Sequence, residues 1–458
     1  MKTKISVFFC VWILASWTRA DVKQTYTQYC TVCHGAKGQG GLGASFIDNE
    51  WKYGSSDEEL AGIIKNGMPQ LGMQAFGHTL SDEQIQALVV YIRELNTAAN
   101  KPKAPEIKAG ISHTQHQKYR RDVVLHNDQK MWGISFLPEG RKIITEIDGP
   151  VKIIEADGTL GPAIQGTPAV VRKGQGGMLD VAVHPDYESN GWIYLAFAEG
   201  NQNQSMTSVV RGRVKQNIWV DQELIFKAKE KFYRGSSHHF GTRIIFQDGY
   251  VFFSIGDRGA SDQAQDLNRP TGKIHRVHED GRIPEDNPFV TNSDTPSIWS
   301  YGHRNPQALV LRPGSQEIWS TEHGPRGGDE LNLIRKGLNY GWPEVTFGIH
   351  YNGKPITAHT QLPGMEAPVM HWTPSIATCG MAFVDGEHYP GWAGDLLVGG
   401  LKAQVIERLR IGQHGIVERE VIMKDQGRIR DIKSSPDGMI YVILESTGSQ
   451  LVRLVPVS

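Results

Sequence analysis

Residues 181–197 read VAVHPDYESNGWIYLAF: an apolar run, a turn carrying Pro185, Asp186 and Gly191, and a second apolar run. The phrase predicts an antiparallel hairpin, because Pro, Asp and Gly supply turn geometry between strands rich in β-branched and aromatic residues. It returns with variation as ISFLPEGRKIIT from residue 134, IIFQDGYVFFSI from 244, LVLRPGSQEIWST from 309, AFVDGEHYPGWAGDLLVG from 382 and IKSSPDGMIYVIL from 432. Hairpins recurring in this way mark a repeat architecture in which small antiparallel sheets pack radially and protect one another's edges. Six units predict an all-β, six-bladed propeller over residues 113–458. A β-sandwich, at about 100 residues, is too small for this length.

The chain of 458 residues exceeds one ordinary core, so a second domain is expected. A net charge of -1 gives no reason to expect a polyanionic partner, and nucleic-acid binding is not anticipated. At the N-terminus, MKTKISVFFCVWILASWTRA places Lys2 and Lys4 ahead of an apolar stretch from Ile5 to Ala15 and a cleavage-like Thr18-Arg19-Ala20. This reads as a signal peptide over 1–20, since a spanning helix needs roughly 20 apolar residues. The expected mature chain is periplasmic or secreted, with no membrane span. Cleavage removes Cys10 and leaves Cys30, Cys33 and Cys379, too few for a disulfide framework; Cys379 reads as a buried free thiol.

The stretch YCTVCHG, residues 29–35, contains C-x-x-C-H, in which Cys30 and Cys33 can form thioethers to haem c and His34 can bind its iron. Zinc would need two further ligands at similar spacing, and none stands nearby. Capping-box pairs Ser56/Glu59 and Ser81/Gln84 open two helices, the second carrying Ile85, Leu88, Val89 and Ile92 at helical spacing. Between them Met68 and Met73 both compete to supply an axial thioether, which would raise the haem potential. Residues 21–97 resemble a small class I cytochrome c, whose ligand stands in an M-P-A-F-G loop. The resemblance implies Met73, in Met73-Gln74-Ala75-Phe76-Gly77, although Gln74 replaces the usual proline and Met68-Pro69 keeps a Met-Pro pair. The Ala/Lys/Pro-rich residues 98–112 read as a tether.

Polar clusters lie between the strand pairs: GQGG at 174, HHFGTR at 238, SIGDRG at 254, GHRNPQ at 302, EHGPRGGDELNLI at 322, GGLK at 399 and GRIRD at 427. Arg243, Arg304, Lys402, Arg428 and Arg430 would form a cationic ring if all faced one mouth, and such a ring calls for a multiply anionic ligand. Together the clusters resemble the PQQ-dependent soluble glucose and aldose sugar dehydrogenases, the glucose/sorbosone dehydrogenase propellers, from about residue 120 to 456. The resemblance implies that His239 is the general base, that Asp257 orients it and that Gln175 contacts the reacting hydroxyl. It assigns Arg304, Asn305, Lys402, Arg428 and Arg430 to PQQ, with Arg243 in the same basic set. The carbonyls of Gly324 and Pro325 would bind Ca²⁺ beside the quinone, and Asp329, Glu330 and Tyr340 are candidates for a second calcium.

Oxidising the anomeric hydroxyl of a sugar to a lactone removes its proton while hydride leaves the same carbon. A neutral imidazole backed by a carboxylate suits that chemistry. His238 stands where glucose-oxidising members carry an acid, which weakens an expectation of glucose as substrate. A tethered haem would take electrons from PQQ one at a time and pass them to an external cytochrome, copper protein or quinone. Two rival readings are a calcium-dependent, lactonase-like propeller hydrolase and a non-enzymatic sugar-binding haem protein. The first leaves the cations and haem without a purpose.

Overall fold

The computed structural model describes residues 21–291 and 294–457; the expected signal peptide, residues 1–20, lies outside them. A helical domain comes first, with helices Val22–Tyr29, Thr31–His34, Asp57–Asn66 and Asp82–Ala99. Both capping boxes form, each with reciprocal side-chain and backbone bonds. Ile85, Leu88, Val89 and Ile92 are all buried, so the periodic face of the last helix is the core face.

Six antiparallel sheets follow. Five contain four strands each, and their innermost strands are Met131–Phe136, Met178–Val183, Ile244–Gln247, Pro306–Leu311 and Thr378–Phe383. The sixth begins with Arg428–Ser434 and is closed by pairing of Ser449–Val457 with Lys118–Asn127, which ties the two ends of the propeller together. Each repeated phrase spans the first hairpin of one blade. In the third, Asp248 and Gly249 take positive φ, 51° and 78°, and turn the chain between the paired Gln247 and Tyr250, as a two-residue hairpin requires. Apolar faces meet between blades: Leu179, Ala196 and Val209 of the second blade pack with Ile244, Val251 and Phe253 of the third.

The linker differs from expectation. Glu106–Lys108 and Ile111–His113 form a hairpin through Ala109 and Gly110, at φ 51° and 77°, and pair onto Lys118–Asn127 as extra strands of the sixth blade. Two strands of three residues carry too little alternation to stand out beside Lys and Pro. Glu106 and Lys108 are exposed at the new edge, where charge discourages further pairing. Among the described residues no helix is long and apolar enough to cross a membrane.

Candidate active site

In each blade the innermost strand starts, and the second strand ends, at the same rim of the propeller. That topology gathers distant residues. Gln175, His239, Arg304 and Asn305 precede innermost strands, Arg428 and Arg430 open one, and Asp257, Gly324, Pro325 and Lys402 follow second strands.

His239 Nδ1 lies 2.6 Å from Asp257 Oδ1. The same carboxylate accepts the Gly259 N–H at 2.8 Å on Oδ1 and the Trp342 Nε1–H at 2.8 Å on Oδ2. Burial opposes ionisation of Asp257, but its hydrogen bond and charge interaction with His239, together with Arg304, hold it below the usual carboxylate value. Burial, reinforced by Arg304, holds His239 below the ordinary histidine value against the pull of Asp257. The pair is therefore a carboxylate facing a neutral imidazole whose Nδ1 carries the hydrogen, and Nε2 is left as the basic nitrogen.

The backbone of His239 sits at φ 58°, an uncommon region for a non-glycine residue. Its N–H donates to Gln175 Oε1 at 2.8 Å, and the Gln175 N–H donates to Ser237 O at 2.7 Å. Buried Arg258 lies over the Phe240 ring, 3.4 Å from its centroid, and donates to the carbonyls of Ser236, at 2.8 Å, and His238. These bonds hold the histidine loop. His238 is exposed and meets the His239 ring edge-on at 4.7 Å, so it belongs to the rim of the site.

Only part of the expected cationic ring carries free charge. The Arg304 guanidinium donates to the carbonyls of His323 and Gly324, at 3.0 and 3.1 Å, and its buried Nε has no partner among the described residues. Asn305 is fully buried; its Oδ1 accepts from the Gly241 N–H, while its Nδ2 is unpartnered. Lys402 is exposed, and the Arg428 side chain is 48% exposed with Nε 3.5 Å from Glu445.

Arg243 departs from the ring. It is buried between Asp180 and Asp431, each at 3.2 Å, over the Trp132 ring, so its charge is already neutralised where the second, third and sixth blades meet. Arg430 likewise has its own carboxylate: Nε and Nη2 reach the two oxygens of Glu445 at 2.6 and 3.3 Å. Glu445 is held below the usual value despite burial, chiefly by Arg430.

Gly324 and Pro325 are buried on the loop after the second strand of the fourth blade. Asp329, expected at a second calcium, instead clamps this loop: Oδ1 accepts the Gly324 N–H at 2.9 Å and Oδ2 the Thr378 N–H at 3.3 Å. Burial nevertheless pushes its carboxyl up to about 6. Tyr340 lines a crevice with Glu330 and Glu366. Its hydroxyl donates to Leu333 O at 2.7 Å and accepts the Arg335 N–H at 2.9 Å. Glu330 fits a cation better: burial and then Glu322 raise it well above the usual value, and it borders a small crevice with Glu366.

Trp342, Arg258, His323 and Glu445 escaped the sequence reading. Trp342 stands 85 residues from the carboxylate it holds, and no spacing announces that. His323 is half-buried with Nε2 2.7 Å from Thr378 O, and desolvation followed by Arg304 pushes it down to about 3. Glu445 ends the second strand of the sixth blade, so the repeat itself could have pointed to it. Cys379 is buried and free, with Sγ 3.0 Å from Arg430 O.

In the helical domain His34 Nδ1 lies 2.8 Å from Ala44 O, which leaves Nε2 for iron. Cys30 and Cys33 form no disulfide among the described residues. Met73 and Cys30 pack against one apolar cluster, and Met68 is not part of it. Cys30, Cys33 and His34 fit a covalently held haem.

Comparison with known proteins agrees with both domains. The Glucose / Sorbosone dehydrogenase model matches residues 128–453, and the model for cytochrome c oxidase, cbb3-type, subunit III matches residues 18–92. The chain belongs to the glucose/sorbosone dehydrogenase family and carries an N-terminal cytochrome c domain. Aldose sugar dehydrogenase YliI of Escherichia coli K12 is 37% identical over 334 residues, covering 71% of this chain and 90% of that protein. The apo-form crystal structure of the soluble aldose sugar dehydrogenase from Escherichia coli superimposes with a TM-score of 0.71 at 36% identity, covering 74% of this chain and 100% of that one. Quinoprotein glucose dehydrogenase B of Acinetobacter calcoaceticus is 24% identical over 443 residues, covering 79% of this chain and 92% of that protein. The assembly is thus a sugar-oxidoreductase propeller joined to a haem domain.

Proposed function

We propose that this protein oxidises the C1 hydroxyl of an aldose to a lactone, using PQQ and Ca²⁺, and sends the electrons through haem c to an external acceptor. The reading places this activity in the periplasm or outside the cell. The observation that carries it is the His239–Asp257 pair on the same rim as Arg304, a cation with no carboxylate on its guanidinium among the described residues.

His239 Nε2 accepts the proton of the sugar hydroxyl, and Asp257 stabilises the imidazolium that results. Gln175 fixes the backbone of His239 through its side-chain oxygen and keeps its amide group for the substrate. PQQ, when bound, supplies the acceptor for the hydride that leaves C1. Arg304, Lys402, Arg428 and the unpartnered amide of Asn305 would hold its carboxylates and carbonyls, a donor set suited to a small polyanion. Ca²⁺ would take the carbonyls of Gly324 and Pro325, a hard cation on oxygen ligands. Cys30, Cys33, His34 and Met73 would hold the haem, which accepts single electrons.

The test is reconstitution of the purified chain with PQQ and Ca²⁺, followed by haem absorbance on adding aldoses. Haem reduction dependent on PQQ, with lactone formed, is the expected result. Lactone hydrolysis without haem reduction would identify a hydrolase, and sugar binding without turnover would identify a sensor.

A further inference from the structure

Four observations concern the contact between the two domains. Arg326 pairs with Glu94 on the last cytochrome helix through two bonds, Nε to Oε1 at 2.8 Å and Nη2 to Oε2 at 2.7 Å. The Val22 N–H, at the start of the first helix, donates to Gly353 O at 3.1 Å. Ile349, a propeller residue 1% exposed, belongs to the apolar cluster of the helical domain. Lys424 Nζ donates to Pro102 O at 2.6 Å and pins the connecting chain to the fifth blade.

A tether that only raised local concentration would need none of these contacts. A bidentate Arg–carboxylate pair is directional, and a buried aliphatic residue shared with the neighbouring core makes the contact packed. The backbone beneath is braced too, since Arg326 and Ile349 exchange N–H to O bonds at 3.1 and 3.4 Å. Arg326 also adjoins Gly324 and Pro325 on one short loop, whose other side is bound by Arg304 and Asp329.

We propose that the 323–328 loop is a fixed seat for the cytochrome: its inner side walls the sugar-oxidising pocket and its outer side, through Arg326, grips Glu94. The haem domain then works from one docked position and does not swing on its linker. For its electron-transfer consequence the proposal rests on the function proposed above; the seat itself does not.

Charge reversals Arg326→Glu and Glu94→Arg, singly and combined, test it in the full haem-containing chain. The first readout needs no PQQ: hydrogen exchange at the Val22 amide, whose bond to Gly353 O crosses the contact. Each single reversal is expected to speed exchange by roughly tenfold or more, and the double reversal to restore it, as for a coupled charge pair. The second readout, with PQQ and Ca²⁺ bound, is the sugar-driven rate of haem reduction. It should be first-order and independent of protein concentration, fall about tenfold in each single variant and recover in the double. Turnover with a small dye that takes electrons directly from the pocket should be unchanged. Wild-type exchange in the single variants would overturn the seat, and wild-type haem reduction in them would overturn its role in electron transfer. Failure of any sugar to reduce the loaded protein would count against the proposed function, while exchange would still decide the seat.

Discussion

Asp257 holds His239 from behind at 2.6 Å and is itself held by Trp342 at 2.8 Å, so two residues from two blades fix one imidazole. The arrangement decides which nitrogen can act as base. It also sets the pH at which it can act.

Because burial, with Arg304, holds His239 below the ordinary histidine value, the base should remain neutral down to mildly acid pH. Activity should rise with pH through an acid limb lying below about 6.5. Asp257→Asn should move that limb lower still, because the imidazolium loses its carboxylate, and should reduce kcat. His239→Ala should cut turnover by roughly 10²-fold or more while PQQ still binds. A pH profile of kcat/KM on the reconstituted enzymes measures this, and a limb above neutrality would contradict the assignment.

Trp342→Phe removes the only donor to Asp257 Oδ2 that Trp342 provides and leaves that buried oxygen short of a partner. The expected cost is about 1–3 kcal/mol of stability. Activity should fall with it, since Asp257 loses its fixed orientation. Thermal unfolding together with kcat separates the two effects; an unchanged Tm and unchanged kcat would show that the indole N–H is dispensable.

Lys402→Ala and Arg430→Ala should behave differently. Lys402 is exposed, so its loss should weaken PQQ affinity with little change in stability. Arg430 shields the buried carboxylate of Glu445, and removing it should destabilise the protein by about 3–5 kcal/mol. Denaturant unfolding and PQQ titration of both variants check this. Equal stability losses would mean that the two cations do the same work.

Met73→Leu should lower the haem potential by a part of the roughly 0.8 V range that axial ligands control. Met68→Leu should leave it nearly unchanged, since Met68 lies outside the cluster that contains Cys30 and Met73. Redox titration of the haem-loaded variants distinguishes them, and the reverse outcome would assign Met68 to the iron.

The repeated hairpins, the C-x-x-C-H stretch and both capping boxes were legible because each is local: turn residues, ligand spacing and helical periodicity act within a few residues. His239 and Asp257 were legible through motif resemblance, and the propeller brings them together. The cationic ring was only partly legible. Composition reveals that Arg243 and Arg430 are basic, but not that Asp180, Asp431 and Glu445 arrive from other strands to neutralise them. The extra hairpin at 106–113 was hidden for another reason. Its two short strands gain their stability from the edge of the sixth blade, not from their own pattern.

By itself the sequence determined the number of blades, the helical domain ahead of them and the Cys and His spacing able to hold a haem, because periodicity and spacing are properties of neighbouring residues. Only the tertiary structure decided which charges remain free at the rim, which nitrogen of His239 is basic and where the cytochrome sits. Those depend on carboxylates, carbonyls and an indole delivered from strands far apart in the chain, and electrostatic partnership follows distance in space.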